Sequence, residues 1–445
     1  MKFHAYIFLL VVLFSITSCS DKTFDYNALL NNPLKRSGNS PVNTVYKPKS
    51  TIIKAIFKIP SVNRIAEELA IARSQIKLID TQKNTQIVGT GAFGVRDEYN
   101  TESTGVGYGT LTAERVLTDN QRLENSQKLA QLNEEGKKID LVLEFNRKLQ
   151  QVLNTYNTKQ TAQETQKVLS KYLSIYEGKA SLIERAVSIG AISNSDFLEI
   201  KGIRNEAMSK LSKGRLLQRQ SGSKMKKNLG KFYLGAVEEI DKRNYSLDQS
   251  TLSKKTNLNL KKFRMQEEKM EIEIAIKEQS LKPISKLSAS ITSPQEKDKD
   301  KTLFAGVTVE FPIKDGGKSA IEIEILEQQK AVLKSEIQET ENKIEIIEEN
   351  WNSFKVFYND EKKLIEDRIT ISKKRLKELD ILQRQGRVNA GIYVKEVLKL
   401  ANTEVDLINL DAEYFSNLLS RTEAASSVCI VLNICNDLNR YVESF

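Results

Sequence analysis

Short blocks of alternating polar and apolar residues occur twice in the chain, once in each half. The clearest block has Leu287, Ala289 and Ile291 separated by Ser288, Ser290 and Thr292. Such alternation is typical of a β-strand with one apolar and one polar face. It predicts strands at residues 86–98, 105–116, 284–293 and 303–311. Their lengths suit membrane-spanning strands, although two hairpins packed on a soluble core would show the same pattern.

A helical pattern follows the second strand of each pair. Over about 70 residues, apolar side chains recur in steps of seven or of alternating four and three, which is a coiled-coil seam: Leu326, Leu333, Ile337, Thr340, Ile344, Ile347, Trp351, Phe354 and Tyr358. The pattern pauses at Gly386 and resumes from Val394. Two long helices joined by a short turn predict an antiparallel hairpin. In the first half the turn is at Gly190, and the glycines and serines of residues 213–230 predict an interruption of the returning helix.

The two halves align with a constant offset. Thr112, Glu114 and Asp119 correspond to Thr308, Glu310 and Asp315, and Gly190 to Gly386, each 196 residues further on. The chain therefore reads as two tandem copies of a helix-strand-strand-helix-helix unit, at residues 62–256 and 257–430, with a tail at 431–445. The predicted fold is mostly α, with long antiparallel coiled-coil hairpins and a small membrane β part.

The first residues have the order of a secretory signal peptide. Lys2 precedes an apolar run at residues 7–14 and then Ile16-Thr17-Ser18-Cys19. This ending resembles the lipobox of bacterial lipoproteins, in which the cysteine carries the lipid. We expect a signal peptide at residues 1–18, lipidation of Cys19 and an extended tether at 19–61. An ordinary signal peptide with an incidental cysteine is the alternative.

Composition argues against an enzyme. The only histidine, His4, lies in the signal, so the mature chain has no imidazole for acid–base catalysis or metal binding. No phosphate-binding glycine loop is present, and we expect no catalytic residue, no metal site and no cofactor. The net charge of +10 is that of some nucleic-acid-binding proteins, but an exported chain does not meet nucleic acid.

Two cysteines remain near the end of the chain, Cys429 and Cys435. An oxidising compartment permits their pairing. On one continuous helix they would lie about 9 Å apart, which exceeds the reach of a disulfide. A bond therefore requires a break in the helix, and two buried thiols are an equal alternative.

Four strands cannot close a barrel. Lipid-exposed strand edges carry unpaired amides that cost several kcal/mol each. If the hairpins enter a membrane, several copies of the chain must share one barrel of 8, 12 or 16 strands, for example.

The duplicated plan resembles the TolC family of outer membrane efflux and secretion channels. The strand that runs into Pro312, Asp315, Gly316 and Gly317 before a long helix is similar to the family's junction, and Gly190, Ile192 and Ser193 resemble its hairpin turn. The resemblance implies a homotrimer with a shared twelve-stranded barrel in the outer membrane and a helical tunnel across the periplasm. Its partners would be a periplasmic adaptor and an inner-membrane transporter.

The resemblance also implies site residues. The two hairpin tips that would dock the adaptor are Ile189, Gly190, Ala191, Ile192 and Ser193, and Gln385, Gly386, Arg387, Val388 and Asn389. Asp196, Glu199 and Lys395 are candidates for a tunnel constriction, but Ile392 and Lys395 stand where family members often have carboxylates. The alternative, which we favour, is that Asp196 and Glu199 are simply helix-start charges stabilised by the helix dipole. The first junction departs from the family too, with Val116, Asn120 and Gln121 in place of Pro312, Gly316 and Gly317.

The predicted function is passive conduction through an outer membrane channel, in a tripartite efflux pump or a type I secretion system. A lipid-anchored periplasmic coiled-coil scaffold without a pore is the alternative. It explains the heptads, but not four amphipathic strands at duplicated positions.

Overall fold

The computed structural model describes residues 47–96, 104–241, 257–294, 300–311 and 315–444. All these residues belong to one unit, Val45–Phe445. The predicted signal peptide, Cys19, most of the tether and Pro312 lie outside the described residues.

Four antiparallel strands form one sheet in the order β1-β2-β3-β4. The strands are β1 Gln86–Arg96, β2 Thr104–Thr118, β3 Ile284–Pro294 and β4 Thr302–Glu310. All four strands predicted from the alternation are confirmed. Consecutive strands pair as hairpins, and β2 pairs with β3 across the long helices that separate them in sequence.

Most of the chain is helical, and the helices of the two halves match in length. The helices α2 (Pro60–Thr81) and α6 (Leu258–Gln279) precede the strand pairs and have 22 residues each. The helices α3 (Arg122–Ser188) and α7 (Lys318–Arg384) follow the strands and have 67 residues each, or about 100 Å. The returning helices are α4 (Asn194–Leu229) and α8 (Ala390–Ala424). None of the described helices is long and apolar enough to cross a bilayer.

The predicted coiled-coil seam is confirmed. On α7 the seam residues Leu333, Ile344 and Trp351 are buried, and on α8 so are Val394, Leu398, Ala401 and Val405. The two hairpins pack together in one apolar cluster that runs from Leu169 on α3 to Leu410 on α8. Apolar side chains at these steps share one face of each helix, and burying that face holds the hairpins together.

A second apolar core corrects the predicted tether. Residues Thr51–Ile56 form a short helix, α1, and Ile52, Ile53 and Ile56 are fully buried against α3, α5 (Tyr233–Asp241) and the C-terminal segment. The backbone N–H groups of Thr51 and Ile52 donate to the carboxylate of Glu239, at 2.9 and 3.2 Å. An extended tether therefore cannot continue to residue 61. The chain enters the core by residue 51.

The predicted interruption of the first returning helix is also corrected. Helix α4 continues through residues 213–229 and stops only at Gly230, which has φ +51° and begins a single 3₁₀ turn, Gly230–Phe232. Gly214 serves packing instead, because a Cβ there would lie 3.2 Å from Gln166 Cγ on α3. Small residues thus allow α4 to approach α3 closely.

Cys429 and Cys435 form a disulfide, with their Cα atoms 5.0 Å apart. The helix does break between them, as a bond requires. A 3₁₀ turn at Val428–Ile430 follows α8, and a new helix, α9, begins at Cys435 and ends at Glu443. Ser426 and Asn433 have positive φ angles at the two bends.

Candidate functional site

The first hairpin tip is a tight turn between α3 and α4. Gly190 has φ +74°, and the N–H groups of Ala191 and Ile192 both donate to the carbonyl of Ala186, at 2.8 and 3.2 Å. These bonds satisfy carbonyl groups at the end of α3 that the helix leaves unpaired. Ser193 then caps α4, because its Oγ accepts from the N–H of Asp196 at 3.0 Å.

The second tip, between α7 and α8, repeats this geometry. Gly386 has φ +69°, and the N–H of Arg387 donates to the carbonyl of Leu382 at 2.9 Å. Asn389 occupies the place of Ser193 and caps α8 by accepting from the N–H of Ile392 at 3.1 Å. The exchange of serine for asparagine therefore keeps the cap.

The two tips interlock. The side-chain amide of Asn389 donates to the carbonyl of Ala191 at 3.2 Å, which joins one turn to the other. Beside it, a Cβ added at Gly391 would lie 2.6 Å from Ile192 Cδ1 and 3.3 Å from Ile200 Cδ1. Ile192 and Ile200 are buried, so a larger residue at 391 would force the Ile192 side chain to shift. The sequence analysis identified Ile192 and Asn389 but missed Gly391, whose one signal was its place just after the second tip, in the first turn of α8.

The three constriction candidates have partners within the chain. Asp196 Oδ2 accepts from the Ser193 hydroxyl at 2.7 Å, so its carboxylate completes the cap of α4. Glu199 on α4 forms an ion pair with Lys395 on α8. Among the residues the structure describes, no three His, Cys, Asp or Glu side chains are grouped to hold a metal ion.

Polar contacts also join the helices behind the tips. Lys179 Nζ on α3 donates to the amide oxygen of Gln383 on α7 at 2.8 Å and lies 4.8 Å from the ring centre of Tyr393 on α8. Burial raises the pKa of the Tyr393 hydroxyl, and the charge of Asp380 adds to the effect. The phenol therefore stays neutral beneath the Lys179 ammonium group.

The outer side of the tips is apolar and uncovered in this chain. Ile189 is 74% exposed at the first turn, and Leu198 and Ile392 are exposed on the helices that follow the two turns. An apolar side chain at the end of a hairpin gains free energy when a partner covers it. The tip geometry thus combines a rigid backbone with an uncovered apolar surface.

The strand-to-helix junctions share one backbone conformation despite different sequences. At the second junction Gly316 and Gly317 have φ +71° and +87°, and at the first Asn120 and Gln121 have φ +53° and +67°. The preceding aspartate caps the helix in both. Asp315 accepts from the N–H groups of Gly317 and Ser319, both at 2.9 Å.

The hydrogen bonds to Asp315 make its carboxyl group a stronger acid than that of an ordinary aspartate. The Ser319 side chain and the backbone N–H groups of Ser319 and Gly317 lower the pKa of Asp315 to about 2. At the first junction Asp119 makes the matching bonds to the N–H groups of Gln121 and Leu123, at 3.2 and 2.6 Å. The first junction therefore lacks the two glycines of the second but keeps the same turn.

An arginine closes the first junction against the second half of the chain. The guanidinium of Arg122 donates to the carbonyl groups of Gln279 and Lys282, at the end of α6, with bonds of 2.5 to 2.9 Å. Asn120 donates to the carbonyl of Pro283 at 2.6 Å. A cation at the carbonyl end of a helix is favoured by the helix dipole. The sequence analysis had not predicted a role for Arg122.

The sheet has one mainly apolar face and one more polar face, and the more polar face also carries Val88 and Phe304. Leu287 lies opposite Val307, and Ile291 lies opposite both Leu303 and Leu111, so apolar side chains form a continuous exposed face. On the other face Thr110 Oγ1 lies 3.1 Å from Thr292 Oγ1, and Lys286 forms a 2.6 Å ion pair with Glu310. Leu303 is 61% exposed and Val307 57%. In a soluble protein, such an apolar face would be packed against a hydrophobic core.

Comparisons with known proteins show that solved outer membrane channels have a similar fold. The structure resembles CusC, described as forming a transmembrane channel, with a TM-score of 0.68 and 16% identity over 89% of this chain and 99% of that one. The outer membrane protein VceC of Vibrio cholerae gives a TM-score of 0.68 and 13% identity over 86% and 99%. The CmeC outer membrane channel of Campylobacter jejuni gives 0.66 and 11% over 84% of each chain.

No protein-family model matches the sequence, and no curated protein matches it. The likeness therefore rests on structure. It extends over 84 to 89% of the chain. The chain has the fold of the TolC-like outer membrane channels that the sequence resembles.

Proposed function

We propose that this chain is the outer membrane channel subunit of a tripartite export assembly. Three copies each contribute four strands to one twelve-stranded barrel, and their long helices form a duct in the periplasm. Conduction through the duct is passive, and an inner-membrane transporter supplies the energy. Cys19 carries a lipid that anchors the chain to the outer membrane.

The exposed apolar face of the four-stranded sheet carries this proposal. Ile87, Leu111, Leu303 and Val307 lie on one face, all exposed. Burying such a face is worth about 25 cal/mol per Å² of apolar surface, and lipid is the medium that covers it without a protein core. A water-filled lumen then suits the opposite face with its threonines, Lys286 and Glu310.

The matched halves support a tandem duplication. Gln86, the first residue of β1, pairs with Glu114, and Ile284, the first residue of β3, pairs with Glu310. Glu114 and Glu310 are themselves equivalent positions in the alignment of the two halves. Both hairpins thus keep one register, as two copies of one unit would. Six such units around one axis would form a trimer with near sixfold repetition.

The interlocked tips are the proposed docking site for a periplasmic adaptor. Their turns are rigid and carry the exposed Ile189. The ion pair between Glu199 and Lys395 would join adjacent helices at the same end of the duct. A constriction built from these residues would present a paired charge, and separating the helices would have to break the pair.

Channel function is tested by conductance. The mature protein, purified in detergent, is added to a planar lipid bilayer, and current steps are recorded. The proposal expects discrete steps, and expects their ion selectivity to change when Lys286 and Glu310 are exchanged. The alternative, a lipid-anchored scaffold without a pore, predicts no steps for a protein that is folded and bound to the bilayer.

A further inference from the structure

The sheet ends in two strands that each have one neighbour. β1 pairs only with β2, and β4 pairs only with β3, among the strands described. The outer edges of both strands therefore present backbone groups that need partners inside a bilayer. The proposed barrel makes another copy of the chain the partner of both edges, but it does not fix the register of the pairing or the contacts beside it. The inference below rests on that proposed function and extends it to individual residues.

The seam inside the chain supplies the register. β2 and β3 belong to different halves, and Thr112 lies opposite Ser290 in their pairing. The equivalent of Thr112 in the second half is Thr308, because each lies two residues before the equivalent residues Glu114 and Glu310. The equivalent of Ser290 in the first half is Ala92, because the two residues hold the same place in β3 and β1. The offset is 198 here and not 196, because the second hairpin is two residues shorter than the first. A seam between copies with the same geometry places Thr308 of one copy opposite Ala92 of the next.

The side-chain pattern agrees with this register and independently excludes a shift by one residue. Glu310 then lies opposite Thr90, so the polar face continues across the seam. Val309 lies opposite Gly91, which shares a face with Ile87, so the apolar face continues as well. A slip of one residue would exchange the two faces and turn Val309 toward the polar side.

The junction residues add a contact between copies. Within the chain, Arg122 binds the carbonyl groups of Gln279 and Lys282 at the end of α6. Lys318 is the equivalent of Arg122, and its side chain is 76% exposed with Glu322 3.8 Å away. The equivalent carbonyl groups belong to Thr81 and Asn84 at the end of α2.

The two helix ends have the same local turn. The N–H of Asn84 donates to the carbonyl of Thr81 at 3.1 Å, and the N–H of Lys282 donates to the carbonyl of Gln279 at 3.0 Å. A carbonyl oxygen has two lone pairs, so the carbonyl of Thr81 can accept a second donor as that of Gln279 does. The carbonyl groups at the end of α2 can therefore accept hydrogen bonds from a cationic side chain of another copy.

We propose that β4 of one copy pairs antiparallel with β1 of a second copy, with Thr308 opposite Ala92, and that Lys318 binds the carbonyl groups ending α2 of that copy. The occupant of both sheet edges is thus another copy of this chain. The seam between copies reproduces the β2–β3 seam inside one copy, with a lysine in the place of an arginine.

Paired cysteines test the register. The variant Thr308→Cys/Ala92→Cys is oxidised in detergent and run on a denaturing gel. Thr112→Cys/Ser290→Cys is the matched control, because it forms the equivalent pair within one chain. Thr308→Cys/Thr90→Cys and Glu310→Cys/Ala92→Cys are both out of register by two residues and keep the same face.

We expect the Thr308→Cys/Ala92→Cys variant to give covalent trimers at least about tenfold faster than either shifted variant, because a disulfide needs Cα atoms about 4.4 to 6.8 Å apart. Faster cross-linking by a shifted variant, in a protein that remains trimeric by native mass spectrometry, overturns the register and leaves the channel proposal standing. A monomeric protein whose within-chain control cross-links, while no pair between copies does, overturns both.

The lysine contact has its own test. Lys318→Met is compared with Lys374→Met, an exposed lysine further along α7, and the rate of trimer dissociation in detergent is measured. On the scale of an exposed ion pair, about 0.2 to 1 kcal/mol, loss of this lysine–carbonyl contact is expected to make Lys318→Met dissociate about 1.4-fold to fivefold faster. Lys318→Arg, which copies Arg122, is expected to dissociate more slowly than the unsubstituted protein. Equal rates for the two methionine variants would overturn the contact.

Discussion

The contact between the two hairpin tips can be broken by one methyl group. In the folded chain Gly391 leaves room for Ile192, whose Cδ1 would lie 2.6 Å from a Cβ at position 391. Gly391→Ala adds that atom. Ile192 has 5% of its surface exposed, so its side chain has little space to move away.

The cost follows from overpacking. Inserting one carbon into a packed core costs about 1 to 3 kcal/mol. Alanine is the better helix residue by about 1 kcal/mol in a helix interior, but position 391 is in the first turn of α8, where that gain is smaller. We therefore expect a net loss of about 1 to 2 kcal/mol, felt locally at the tips.

Hydrogen exchange of the detergent-solubilised protein is the assay. A loss in the middle of that range, about 1.4 kcal/mol, corresponds to a tenfold change in an equilibrium constant. Amides of both tips, including that of Ile192, which donates to the carbonyl of Ala186, should then exchange about tenfold faster. Gly202→Ala on α4 is the matched control, because a Cβ there meets no atom within 4 Å.

A second substitution tests the cause. Ile192→Val removes the atom that the new Cβ would strike and costs about 0.5 to 1.5 kcal/mol by itself. If the steric account holds, Gly391→Ala should cost much less in the Ile192→Val background than in the unsubstituted protein. Unchanged exchange in Gly391→Ala, or strictly additive effects of the two substitutions, would refute the interlock between the tips.

Three further predictions concern the junctions and the disulfide. Gln121→Gly should stabilise the folded protein and Gly317→Ala should destabilise it, each by about 1 to 2 kcal/mol, because only glycine adopts a positive φ without strain. Thermal unfolding measures both effects, and melting temperatures that change in the same direction would contradict the shared turn. Cys429→Ser with Cys435→Ser should cost about 2 kcal/mol, since a short loop loses its closure, and a reductant should have that effect on the unsubstituted protein alone. Hydrogen bonding lowers the folded-state pKa of Asp315 from 3.8 to about 2. The stability that the ionised carboxylate gives the folded protein is therefore fully present above about pH 4 and is lost as the pH falls toward 2. Asp315→Asn should remove that part of the acid sensitivity, and an unchanged dependence of stability on pH would argue against the cap.

Much of the fold could be predicted because it depends on repeated local patterns. Alternation placed all four strands, and the first residues of β1 and β3 are those predicted, Gln86 and Ile284. Heptad spacing placed the seam that buries Leu333 and Trp351. Periodicity of this kind is set by backbone geometry, so one sequence is enough to recognise it.

Other features depend on partners far away in the sequence. Helix α1 has six residues, too few to be stable alone, and it forms because Glu239 caps it and the core buries its isoleucines. The contacts of Asn389 with Ala191 and of Lys395 with Glu199 join hairpins that are distant in the sequence. No local pattern in the sequence predicts such contacts.

The first junction shows a different limit. Asn120 and Gln121 do not look like a turn that needs positive φ angles at two positions, yet both adopt them. Asp119 caps the helix and Asn120 donates to the carbonyl of Pro283, and these bonds offset the strain of the left-handed conformation. The glycine pattern of the second junction predicts its turn, whereas the first is held by side-chain contacts.

The central claim is that copies of this chain enclose a pore. Electron microscopy of the mature protein in detergent tests it most directly, with particle symmetry and a central channel as the readouts. We expect a threefold hollow particle, with a barrel at one end and helices of about 100 Å leading away from it. A solid rod, or a monomer with separate hairpins, would contradict the channel and favour a lipid-anchored scaffold.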